Sequence, residues 1–204
     1  MNKIPDKYST INSCPDYSLT SWESNGKFIF RYDAEYDDSI LQLIPYTVIF
    51  NKNADKVYVG KRIAGDTRLV HQYSIGFGGH INPVDAKSSL GSIILDAAER
   101  ELNEEVNLIN RQKLEWQGYV RDITSNTSEH IGFVFTVKCS RAKIKEKDSL
   151  EGEWMTIDDM VKKYSSFERW SQYIIDSMFL QYKATGNLLY ANAIISDHMS
   201  ATPA

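Results

Sequence analysis

Three carboxylates stand at helical spacing in the middle of this chain. Glu101, Glu104 and Glu105 fall at i, i+3 and i+4 within Arg100-Glu101-Leu102-Asn103-Glu104-Glu105. A helix would stack them on one face. Like charges so placed destabilise an isolated helix by about 0.2–0.5 kcal/mol per pair. A cation bound among them would remove that cost. Hard divalent ions such as Mg²⁺ take oxygen ligands and usually bind through a few carboxylates together with substrate phosphates. The chemistry on offer is therefore metal-assisted work on a phosphate-bearing substrate. Acidic, Arg-containing helices more often present only a solvated face, and these six residues alone would favour that reading.

The elements around the trio weigh against the plainer reading. Ile93, Ile94, Ala97, Ala98 and Leu102 form an apolar stripe at helical spacing, which sets the acidic face against a core face. The spacing predicts a helix over about 90–106. Upstream, the aromatic and β-branched run Tyr46-Thr47-Val48-Ile49-Phe50 predicts a strand, with 56–61 as its hairpin partner, and 73–77 predicts a strand ending at Gly78-Gly79. Further strands are expected at 27–32, 114–120, 131–137 and 154–156. A helix is expected to begin near Ile157, and a second over 165–185, capped by Ser165 or Ser166 and stopped by Gly186. Residues 33–38 read as a solvated acidic turn, and 1–25 as a loose polar arm. Strands around a central helix in mixed order indicate an α+β fold.

Arg100-Glu101-Leu102-x-Glu104-Glu105 resembles the core of the Nudix box, G-x5-E-x7-R-E-U-x-E-E-x-G-U with U apolar. Leu102 and Leu108 match the two U positions. Ala97-Ala98, the Gly78-Gly79 turn, and Glu151-Gly152-Glu153-Trp154 followed by Ile157-Asp158-Asp159-Met160 extend the likeness over residues 42–165. Asn107 replaces the last Gly, and Asn tolerates the left-handed conformation. Counting back from Arg100, Ser92 stands in place of the first Glu and Ala86 in place of the first Gly. The interval from Gly79 to Arg100 is longer than the family's, with the insertion assigned to 83–91.

The resemblance implies an α/β/α sandwich with a mixed central sheet, preceded by an extension over 1–41 and followed by a helix and tail over 166–204 packed on the same domain. It implies Mg²⁺- or Mn²⁺-dependent hydrolysis of a phosphoanhydride bond in a nucleoside diphosphate linked to another group X. Glu101, Glu104, Glu105 and the Gly79 carbonyl would hold the metal. Arg100 would pair with a box carboxylate and fix its rotamer. For the general base Glu151 leads, three residues before Trp154, with Asp148 and Glu129 as alternatives. His80, Arg62, Arg68 and Glu129 are substrate candidates, an Arg being suited to bidentate phosphate binding. A catalytically weak nucleotide-sensing or binding module is the second reading. Isopentenyl diphosphate isomerase, of the same fold, is a third, but its active-site Cys has no evident counterpart.

The 204 residues carry a net charge of −4, with 42% hydrophobic and 12% aromatic residues. That is ample for a packed core and offers no bulk attraction to nucleic acid or an anionic membrane. Cys14 and Cys139 stand apart in no metal or redox spacing, as expected of a reducing, cytoplasmic setting. No signal-like or membrane-spanning run is present. The partner expected is a small-molecule diphosphate. The apolar stripe Phe167, Trp170, Ile174, Ile175, Met178 and Phe179 serves either the core or a homodimer.

Overall fold

A computed structural model describes residues 28–35, 37, 40–64, 70–85, 89–122 and 130–186. Among these residues nine strands and four helices are formed. The strands are β1 (Gln42–Asn51), β2 (Val57–Arg62), β3 (Tyr73–Ser74), β4 (Gly76–Phe77), β5 (Val106–Ile109), β6 (Glu115–Val120), β7 (His130–Cys139), β8 (Arg141–Ile144) and β9 (Leu150–Met155). The helices are α1 (Arg31–Glu35), α2 (Leu90–Glu105), α3 (Ile157–Lys162) and α4 (Arg169–Thr185).

β1 and β7 run parallel through the centre of a mixed sheet, in register from Gln42 opposite His130 to Asn51 opposite Cys139. Antiparallel neighbours extend it: β6 on β7, β2 and β4 on β1, and β3 and β9 on β2. β5 and β8 form a separate antiparallel pair.

Both faces of β1 are buried, which is why its sequence reads as a nearly continuous apolar run. Its Tyr46, Val48 and Phe50 meet Ile174, Ile175 and Met178 of α4 and Ile157 and Met160 of α3. On the opposite face, Ile49 and Phe77 lie with Leu102 of α2. Ile94 and Ala98 of α2 meet Ile131, Phe133 and Phe135 of β7. The result is the α/β/α sandwich, with α2 on one face of the sheet and α3 and α4 on the other.

Several local expectations change. The run at 27–32 is not a strand; its described part leads into α1, which absorbs part of the acidic turn. The strand expected over 73–77 breaks at Ile75, whose N–H turns to the Ser171 hydroxyl at 2.9 Å. α4 starts later than the serines suggest, because 164–166 close a 3-10 turn and Glu168 is the N-cap. The Glu168 carboxylate accepts from the Trp170 and Ser171 amides at 2.7 and 2.8 Å. Gly186 ends the helix at φ 71°, as expected. Asn107 has no left-handed role: it sits in β5, and the positive φ nearby belongs to Asn110 at 52°.

Candidate active site

α2 is started by Ser89, whose hydroxyl accepts from the Ser92 amide. It ends at Glu105, where Val106 turns to extended geometry and enters β5. The 16 residues between carry Leu90, Ile94, Ala97, Ala98 and Leu102 into the core. Glu101 and Glu105 fall on the same side of the helix as this stripe and are largely buried at its C-terminal end, so the expected separation of acidic and core faces holds only for the exposed Glu104.

The Gly78-Gly79 turn lies against this acidic face. Gly78 has φ 156°, and a Cβ there would strike the Pro45 carbonyl oxygen at 1.9 Å. Its amide donates to Glu105 Oε2 at 3.1 Å. A Cβ on Gly79 would stand 2.7 Å from Glu101 Oε2. The turn can approach the two carboxylates only because it has no side chains.

Arg100 ties the face together. Its Nε and one terminal nitrogen each donate to Asp85 at 2.9 Å, a two-pronged ion pair. That nitrogen also donates to the His80 carbonyl at 3.0 Å. The other terminal nitrogen reaches Glu101 at 2.7 Å and Glu104 at 3.3 Å. Asp85 closes a 3-10 turn and has a side chain only 3% exposed. Its hydrogen bonds from Arg100 hold its carboxyl below the usual carboxylate range, despite burial.

The other carboxylates move the opposite way. Burial raises Glu101, against the pull of Arg100. Burial, and then the charges of Glu101 and Glu146, push Glu105 up to about 8, while the Gly78 amide and Arg62 pull it down. A crowded, buried anion with a like neighbour is the situation a cation relieves. Among the described residues no three acidic or histidine side chains are already gathered around one point as ligands. The donor set nevertheless fits a hard divalent ion: oxygen donors throughout, and a Gly79 cradle that a Cβ would fill.

The remaining candidates divide. Arg62, at the end of β2, is near enough to Glu105 for its charge to lower that carboxyl. His80 contributes its carbonyl to Arg100, and its ring stands edge-on to His130 at 5.6 Å. Glu151 is not brought to the trio. It lies opposite Lys61 in the β2–β9 ladder and shares its strand face with Met155, which is buried beneath α3 and α4. That alternation sets Glu151 on the α3 and α4 side of the sheet. Arg68, Glu129 and Cys14 lie outside the described residues.

Two residues were missed. Glu146 is close enough to raise Glu105. Asp85, not Ser92, supplies the acid that pairs with Arg100, and Gly79, not Ala86, opens the pattern. Counting forward from Gly79 would have found it, since Gly79-x5-Asp85 keeps the first spacing of the box. The extra residues lie between Asp85 and Arg100, where 14 intervene.

No protein-family model matches the sequence. Protein YmaB of Bacillus subtilis strain 168 is 33% identical over 156 residues, spanning 72% of this chain and 75% of YmaB. The crystal structure of Tm1382, assigned to the Nudix hydrolases, superposes with a TM-score of 0.73 at 29% identity, over 85% of this chain and 90% of Tm1382. The chain belongs to the Nudix family. A further Nudix structure shares the fold: the Nudix domain of Shewanella oneidensis NrtR, solved with ADP ribose, has a TM-score of 0.50 at 17% identity, over 74% of this chain and 99% of that domain. Among the described residues of this Nudix protein, no helix is long and apolar enough to cross a membrane.

Proposed function

We propose that the protein is a Mg²⁺- or Mn²⁺-dependent hydrolase that cleaves the phosphoanhydride bond of a nucleoside diphosphate-X or a related diphosphate. The observation that carries this reading is the buried Glu105 carboxylate beside Glu101, against a glycine turn whose amide it accepts from and whose lack of a Cβ lets the backbone come close. Glu101, Glu104, Glu105 and the Gly79 carbonyl would hold the cation. When bound, it supplies the positive charge that lets a diphosphate approach an acidic face, and it makes water a better nucleophile.

The protein's own groups do the rest. Asp85 fixes Arg100, and Arg100 fixes the rotamers of Glu101 and Glu104, so the carboxylates are oriented before substrate arrives. The Gly78 amide holds Glu105 by Oε2. Arg62 would bind a phosphate oxygen, as its charge acting on Glu105 supports. With Glu151 on the far face, the proton from the attacking water passes to a carboxylate of the acidic helix.

The arrangement of Arg100 favours one second reading, a nucleotide-binding module. Arg100 already engages two of the three carboxylates. A panel of nucleoside-diphosphate compounds incubated with Mg²⁺ or Mn²⁺ separates the two. Monophosphate release that Glu104→Gln lowers by about 10²-fold or more supports the hydrolase. Tight ligand binding with no release from any compound supports the binding module.

A further inference from the structure

Among the described residues β9 pairs on one side only, with β2. Ile63 N–H donates to the Ser149 carbonyl, while Arg62 directs its N–H to Gln72 and its carbonyl to His71. This fixes which way each residue of the β2–β9 ladder faces. Val57, Val59 and Lys61 meet Met155, Glu153 and Glu151 through inward groups. Leu150, Gly152 and Trp154 therefore point their N–H and carbonyl groups outward. The Leu150 amide is taken by the Glu146 carbonyl at 2.9 Å. Among the described residues the outward groups of Gly152 and Trp154 have no strand beside them.

Two grooves run along this same edge. One, of about 600 Å³, lies over 150–153 and is lined by Lys61, Lys143 and Lys147, with Tyr58 and Tyr73. The other, of about 270 Å³, continues past Glu153 and Trp154 to Lys162 and Lys163. Five lysines thus border an edge on a chain whose net charge is −4. Two of the local acids are occupied: Glu153 pairs with Lys163 at 3.6 Å, and Asp159 caps α3. Among the described residues, Lys143 and Lys147 have no acidic partner. Lysines that only guard an edge against pairing stand on the edge strand itself. Here the strand carries Glu151 and Glu153, and the lysines surround it.

We propose that the outer edge of β9 is a docking site for an extended peptide segment with carboxylates at alternate positions, which joins the sheet as an added strand. Main-chain bonds to Gly152 and Trp154 would supply affinity, and side chains of one parity would meet Lys143 and Lys147. A second copy of this chain is a poorer occupant. Antiparallel self-pairing about Gly152 would set Glu151 directly opposite the copy's Glu153, like charge against like.

The test uses a fluorescent decapeptide of alternating glutamate and threonine, and a control with lysine for glutamate, on the full chain at about 0.15 M salt. The proposal expects binding of the acidic peptide only, weakened about tenfold or more by K143E with K147E. Amide hydrogen exchange is read in parallel. Gly152 and Trp154 should exchange fast in the free protein and slow about tenfold or more with peptide, while Glu151 and Glu153 stay protected throughout. Binding without that protection would overturn strand addition and leave only charge attraction. Protection already present in the free monomer would mean the chain covers its own edge. Protection that appears with protein concentration alone would make the occupant a second copy. Each of these, or no binding, sinks the proposal.

Discussion

Asp85 is the residue on which the acidic face depends most, although it contributes no atom to it. Replacing it with Asn leaves Arg100 without a carboxylate for its two-pronged bond. The expected cost is about 1–3 kcal/mol of stability and about 10–100-fold in metal affinity or activity, read by thermal melting and by metal titration. Glu105 gives a pH-dependent prediction. Its carboxyl is raised to about 8 in the fold, from an ordinary value of 4.5. The folded state therefore holds the proton more tightly than the unfolded chain. The stability linked to that proton is fully present below about 4.5 and is lost as pH rises through 8. Without metal, Glu105→Gln should melt higher than the native protein at pH 9, with the gap closing toward pH 5. A constant gap across that range would contradict the burial argument. The trio and Arg100 were legible because they share one helix. Asp85 was missed because counting back from Arg100 crosses the inserted residues, whereas counting forward from Gly79 reaches it and the ion pair with Arg100 bears that count out. The side of the sheet that Glu151 takes was not legible, because a strand residue's face depends on register, which spacing to Trp154 does not carry.

Among the elements, the glycine turn and the start of α4 make opposite predictions. Gly79→Ala places a methyl against Glu101 while keeping an accessible backbone, so activity should fall about tenfold or more with little change in melting. Gly78→Ala meets main chain at 1.9 Å and carries φ 156°, so it should unfold the turn and lower the melting temperature itself. Glu168 caps α4 and also accepts from the buried Tyr46 hydroxyl at 2.7 Å, which ties the helix to β1. Glu168→Ala should cost about 1–3 kcal/mol while leaving turnover per folded molecule unchanged, since no active-site group touches it. Long elements such as β1 and α2 could be read locally, from apolar runs and helical period. The β5–β8 pair could not: each strand has four residues, and each is fixed by a partner more than 30 residues away. The serines before α4 pointed to the wrong start because the chain closes a 3-10 turn there first.

At the scale of the whole molecule, the sandwich holds the acidic helix α2 against one face of its sheet, with the Gly78-Gly79 turn beside it. That placement follows from the helical period of α2 and the register of the sheet. The proposed chemistry is tested most directly by following cleavage of one accepted diphosphate by phosphorus NMR while Mg²⁺ is titrated in and then chelated. The native chain and Glu105→Gln would be run side by side. The account predicts cleavage that saturates with Mg²⁺, stops on chelation, and falls by about 10²-fold or more in the variant. Cleavage that survives chelation, or a variant as fast as the native protein, would contradict the claim that this helix face is the catalytic metal site.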